Sequence, residues 1–126
     1  MSTNRRIRRF NEERGMLAKG FNLKTAYSML AEELQELVDA DNEHELVDSL
    51  ADIIVVASGE LSKLDYDIED VMDETLLEIE SRKQNPLQAD EWRRNGASGK
   101  WLKWAEQKDT YKADYSKCKY RCVEVL

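Results

Sequence analysis

The chain has 126 residues, 41% hydrophobic and 36% charged, with 26 acidic against 19 basic side chains and a formal net charge of −7. That is the size of one domain with room for a core. The charge excludes broad affinity for nucleic acid, and it requires cations between the acids and any polyphosphate substrate. No apolar run approaches the roughly 20 residues of a membrane helix, and no apolar segment follows the basic start, so a cytoplasmic protein without a membrane partner is expected.

The spacing of apolar residues predicts four helices and a tail. The first runs from about Asn4 to Leu17, with Ser2, Thr3 and Asn4 as cap candidates and a close near Lys19-Gly20. The second runs from about Leu23 to Asp41 behind Asn22 as N-cap, and Asp41-Asn42 makes the turn. The third spans about Glu43 to Leu64. Asp65 to Asp67 break it before a fourth helix that ends near Lys83, ahead of Pro86. Residues 1–86 thus read as a helical domain and 87–126 as an extension packing on it. The extension carries Trp92, Trp101 and Trp104, a loop from Asn95 to Gly99, a short helix from Lys100 to Gln107, and a weak strand signal from Tyr120 to Leu126. Cys118 and Cys122 lie at i,i+4 with His44 far away, which disfavours zinc and leaves reduced thiols.

Val47, Leu50, Ile53, Ile54, Val55, Val56, Ala57 and Leu61 cover most of the circumference of the third helix. Three companions from one short chain barely enclose such a helix. A bundle completed by oligomerisation is therefore expected, as a homodimer or homotetramer.

Five carboxylates stand out on the two central helices. Glu32, Glu33 and Glu36 fall within an arc of roughly 100° beside Leu23, Leu30, Leu34 and Leu37. Asp48 and Asp52 are an i,i+4 pair, with Glu45 on the same face, and Asp52 leads into an isoleucine-valine run. Like charges at that spacing destabilise a helix, and unpaired carboxylates in apolar surroundings are protonated or expelled. A hard divalent cation removes the conflict, because Mg²⁺ and Mn²⁺ prefer oxygen ligands. If a short turn packs the helices antiparallel, both acid sets converge, and the cavity suits two or more such ions for displacement at phosphorus. The plainer alternative is two solvated faces of an acidic protein.

The pattern EExxE, followed by DSLADIIVVASG from Asp48 to Gly59, resembles the MazG-like all-α nucleoside triphosphate pyrophosphohydrolases. The likeness is strongest to their phosphoribosyl-ATP pyrophosphohydrolase-like branch and covers roughly residues 5 to 83. It implies a Mg²⁺- or Mn²⁺-dependent enzyme that converts a (d)NTP to its monophosphate and pyrophosphate, in nucleotide-pool control or house-cleaning. By the same resemblance Glu33, Glu36 and Asp52 are metal ligands. Glu32 binds a further metal or, with Glu33, orients the attacking water. The family's ExxD is altered here, since Ser49 stands three residues before Asp52. Asp48 takes the acidic role, and Glu45 stays open as an alternative. Arg82 and Lys83 occupy the region that meets the distal phosphates, and Ile7 and Asn11 the helix bordering the base pocket. A carboxylate-bridged di-iron bundle is disfavoured for want of a Glu-x-x-His repeat. An acidic helical interaction or inhibitor module without catalysis remains the rival reading.

Overall fold

A computed structural model describes residues 1–81 and 111–120. The tryptophans, the Lys100–Gln107 helix, Cys122, Arg82, Lys83 and nearly all of the expected terminal strand lie outside them. Among the described residues there are five α-helices: α1 (Thr3–Glu13), α2 (Met16–Lys19), α3 (Leu23–Val38), α4 (Glu43–Lys63) and α5 (Ile68–Ser81). The all-α expectation holds. Of the described residues, Met1–Glu69 with Cys118–Tyr120 form one compact unit, and Asp70–Ser81 with Tyr111–Lys117 form another.

Side-chain caps set three helix starts. Ser2 accepts from the Arg5 N–H at 3.2 Å, Asn22 from Thr25 at 3.0 Å and Asn42 from Glu45 at 2.9 Å. The first helix ends earlier than the spacing predicts. Gly15 takes a left-handed conformation with φ 69°, so the expected Asn4–Leu17 helix breaks into α1 and the single turn α2. After α4, Asp65 also adopts positive φ (65°), a conformation that aspartate tolerates better than bulkier residues. The Tyr66 N–H then returns to the Leu61 carbonyl at 3.0 Å, which closes the helix end.

Within the first unit, α4 is the central element and packs on α1, α2 and α3. Its buried positions are not the isoleucine-valine run. They are Ser49, Ser58, Gly59, Glu60 and Ser62, small side chains for the most part, which let neighbouring backbones approach closely. Ile7 of α1, Ala26 of α3, Ile68 at the start of α5 and Cys118 are the buried apolar residues described in this unit. Leu46, Val47, Leu50, Ile54 and Val55 are instead exposed. Among the described residues, the other helices of the chain therefore leave much of the apolar surface of α4 uncovered.

The described end of the chain returns to the α4–α5 junction. The Asp67 N–H donates to the Cys118 carbonyl at 2.7 Å and the Tyr120 N–H to the Asp65 carbonyl at 2.9 Å. Tyr66 and Lys119 form an isolated antiparallel bridge, and no longer strand occurs among the described residues. Arg8 stacks 3.5 Å above the Tyr120 ring while its Nη2 donates to Asp65 Oδ1 at 3.1 Å.

In the second unit, Glu74 gathers the segment that follows residue 110. Its carboxylate accepts from the Tyr111 hydroxyl and pairs with Lys117. Thr75 Oγ1 and the Tyr115 hydroxyl share a hydrogen bond of 2.9 Å. The two partners hold the Glu74 carboxyl below the ordinary carboxylate range, Lys117 contributing most and Tyr111 next.

Candidate metal centre

Glu33 and Glu36 lie one turn apart on α3, and Asp52 projects from α4. The residues between Val38 and Glu43 are too few for anything but a tight reversal, so the paired helices run antiparallel and bring the three acids together. One carboxylate oxygen from each lies within 4.8 Å of the other two. Glu33 and Asp52 are half-buried, and Glu36 is exposed.

Glu33 carries the conflict. Its Oε2 is buried and has no hydrogen-bond partner. Its pKa is raised, chiefly because burial removes water from the charged form. The charge of Glu36 and a hydrogen bond with it add to the shift, followed by the charges of Asp52 and Glu32. A carboxylate oxygen without a donor, surrounded by like charges, costs stability unless a cation enters. The donor set is oxygen alone, which fits a hard divalent cation such as Mg²⁺ or Mn²⁺ and does not fit zinc in a closed thiolate-imidazole site.

The other acids fall elsewhere. Glu32 and Asp48 are exposed and stand outside the converging group, although Glu32 still acts on Glu33 through its charge. Glu45 Oε2 accepts from the Asp41 N–H at 2.7 Å, which commits it to the start of α4. The spacing Asn42-x-x-Glu45 is itself a helix-start signature, with both side chains binding backbone N–H groups of the first turn and its approach.

Ile7 and Asn11 are both buried. The Asn11 amide nitrogen donates to the Ile7 carbonyl at 2.8 Å. The same amide lies so close to Gly59 of α4 that a Cβ there would sit 3.1 Å from Nδ2 and 3.2 Å from Oδ1. Arg82 and Lys83 lie outside the described residues.

The family model described as phosphoribosyl-ATP pyrophosphohydrolase matches residues 6–76, more than half of the chain. The chain belongs to the phosphoribosyl-ATP pyrophosphohydrolase family. The matched span of this family member holds the three converging carboxylates and the helices that carry them. Comparison with curated proteins and with solved structures returns no match. Among the described residues, no helix is long and apolar enough to cross a membrane.

Proposed function

We propose that this protein is a divalent-metal-dependent pyrophosphohydrolase that cleaves a nucleoside triphosphate between the α and β phosphates, releasing the monophosphate and pyrophosphate. The observation that carries the reading is the convergence of Glu33, Glu36 and Asp52 inside the span matched by the family. These three would hold Mg²⁺ or Mn²⁺, with two or more ions per site. The bound ions would supply Lewis-acid neutralisation of the phosphate oxygens.

Glu33, with its buried oxygen and raised pKa, is the residue best placed to accept a proton from an attacking water. Glu32 and Asp48 project into solvent from the helices that carry the cluster, and they would hold a further ion or orient that water. Arg82 and Lys83 follow the end of α5 and would meet the distal phosphates. The net charge of −7 makes such cations necessary for a polyanionic substrate to approach.

Phosphoribosyl-ATP is itself a nucleoside triphosphate, so it belongs in the test panel beside the common ribo- and deoxyribonucleotides. Incubation with Mg²⁺ or Mn²⁺, followed by chromatography of the products, should show monophosphate and pyrophosphate for at least one member. Diphosphate with orthophosphate would place the cut at the wrong bond. No metal-dependent turnover across the panel would favour the non-catalytic interaction module.

A further inference from the structure

Charge is spread unevenly along the chain. The first 20 residues hold six basic and two acidic side chains, a net of +4, while the whole protein carries −7. On α1, Arg6, Arg9, Phe10 and Glu13 recur at helical spacing, and Arg14 follows at the C-cap. These residues share one side of the helix, rotated by roughly 120° from the buried seam of Ile7 and Asn11. With Met1 they border a groove of about 350 Å³. The groove shares no residue with the acid cluster of α3 and α4.

Its lining combines groups that hold phosphate with a ring that can stack. The Arg14 guanidinium lies 3.7 Å from the centre of the Phe10 ring, yet Phe10 remains 47% exposed, which leaves ring surface for a second stacked plane. Arg9 Nε donates to Glu13 Oε1 at 2.8 Å, but the two side chains are 61% and 56% exposed, and an ion pair so open to water contributes little. A phosphate that presents two oxygens to the planar guanidinium competes with it. Among the described residues, Arg6 is paired with no carboxylate.

We propose that this groove is a second, metal-independent site for a free nucleoside phosphate, with its phosphates on Arg6 and Arg9 and its base on Phe10. The volume stands near the lower end of the range for small-ligand sites, about 300–1,000 Å³, and suits a single nucleotide. A long polyanion or an anionic bilayer would extend past the basic patch onto a protein of net charge −7, whereas a mononucleotide stays within it. Glu13 opposes a phosphate placed beside it, but its carboxylate can accept from a sugar hydroxyl. The acid cluster needs a cation before any phosphate can approach, and the arginines do not, which separates the two sites chemically.

Calorimetric titration of ADP into the full chain, in EDTA and at low salt, provides the test. Without metal the acid cluster repels the ligand, so saturable binding reports the groove. Arg6→Ala/Arg9→Ala should weaken that binding by about tenfold with helical circular dichroism retained, because both side chains are exposed. Raising salt to about 0.5 M should weaken it as well. Should the double variant fold poorly, Phe10→Ala gives an independent reading, a several-fold loss for ADP with binding of inorganic pyrophosphate unchanged. Absence of saturable ADP binding at millimolar concentration overturns the proposal, and so does binding that survives Arg6→Ala/Arg9→Ala. Pyrophosphate bound as tightly as ADP, with no effect of Phe10→Ala, would overturn it in favour of a bare anion site. A single-stranded oligothymidylate bound far more tightly than ADP would overturn it in favour of nucleic acid.

Discussion

Replacing Glu33 by glutamine removes one charge from the acid cluster while keeping the shape of the side chain, and the expected effect reverses sign with metal. The three carboxylates reach within 4.8 Å, where a fully ionised pair repels by roughly 3.5 kcal/mol at an effective dielectric of 20. Exposure of Glu36 screens this, and about 1–2 kcal/mol should remain where the carboxylates are ionised. In EDTA, Glu33→Gln should therefore stabilise the fold by that amount. The pH dependence follows from the direction of the shift. The folded Glu33 keeps its proton to higher pH than the unfolded chain does, so wild-type stability falls as pH rises from the ordinary glutamate value through the raised one. The variant lacks that fall, so its advantage should vanish in acid and be complete above the window. Urea unfolding at several pH values, in EDTA and again in millimolar Mg²⁺, measures all of this. With Mg²⁺ the wild type should gain stability through binding and the variant should gain less, reversing the order, while pyrophosphate release is lost. A variant less stable than wild type in neutral EDTA, or equal stabilisation of both proteins by Mg²⁺, would refute the reasoning.

Gly59→Ala should destabilise by about 1–2 kcal/mol despite the better helix propensity of alanine, because Asn11 is held by the Ile7 carbonyl and cannot retreat. In an Asn11→Ala background the same substitution should stabilise, and strict additivity of the two in urea unfolding would dismiss the contact. Asn11→Ala should lower stability through loss of the bond to the Ile7 carbonyl and, with Asn11 and Ile7 proposed to border the base, reorder kcat/KM among the deoxynucleotides; an unchanged ranking would leave Asn11 a purely structural residue. Glu74→Gln should flatten the acid limb of the Tyr111 NMR titration. The depressed Glu74 carboxyl stabilises its contacts above the ordinary glutamate value and loses that contribution as pH falls through the lowered one, so an unchanged limb would count against the Glu74 latch. Asn42→Ala should cost about 1 kcal/mol in thermal unfolding through loss of the α4 cap, and no measurable change would show that Glu45 alone suffices.

The helix starts were legible because capping chemistry is local. Asn22 and Asn42 each sit immediately before a periodic apolar run and each accepts from the third residue beyond, as their side chains require. The break at Gly15 was not legible. One glycine inside an amphipathic pattern lowers helix propensity without saying whether the chain will turn there. The convergence of the acids was legible in part, since periodicity aligns Glu33 with Glu36 and the short turn brings Asp52 to them. Periodicity also offered Asp48 as a ligand, and which acid reaches the cluster depends on the rotation of α4 against α3, which the sequence does not carry. The roles of Ile7 and Asn11 were ambiguous for the same reason. Their shared face was evident, but that it meets Gly59 depends on how α1 packs.

The isoleucine-valine run shows how a pattern can state a requirement without naming its solution. A helix apolar on most sides must be covered, and the sequence alone suggests that its own chain supplies most of the cover. Burial shows otherwise, since Ser49, Ser58, Gly59 and Ser62 face the neighbouring helices while Leu50 and Ile54 face water. Small residues bring α1 and α3 close to α4, and that proximity draws Asp52 toward Glu33 and Glu36. The large residues stay on the exposed side of the same hairpin, so the packing that assembles the centre rests on small side chains rather than on the isoleucine-valine run.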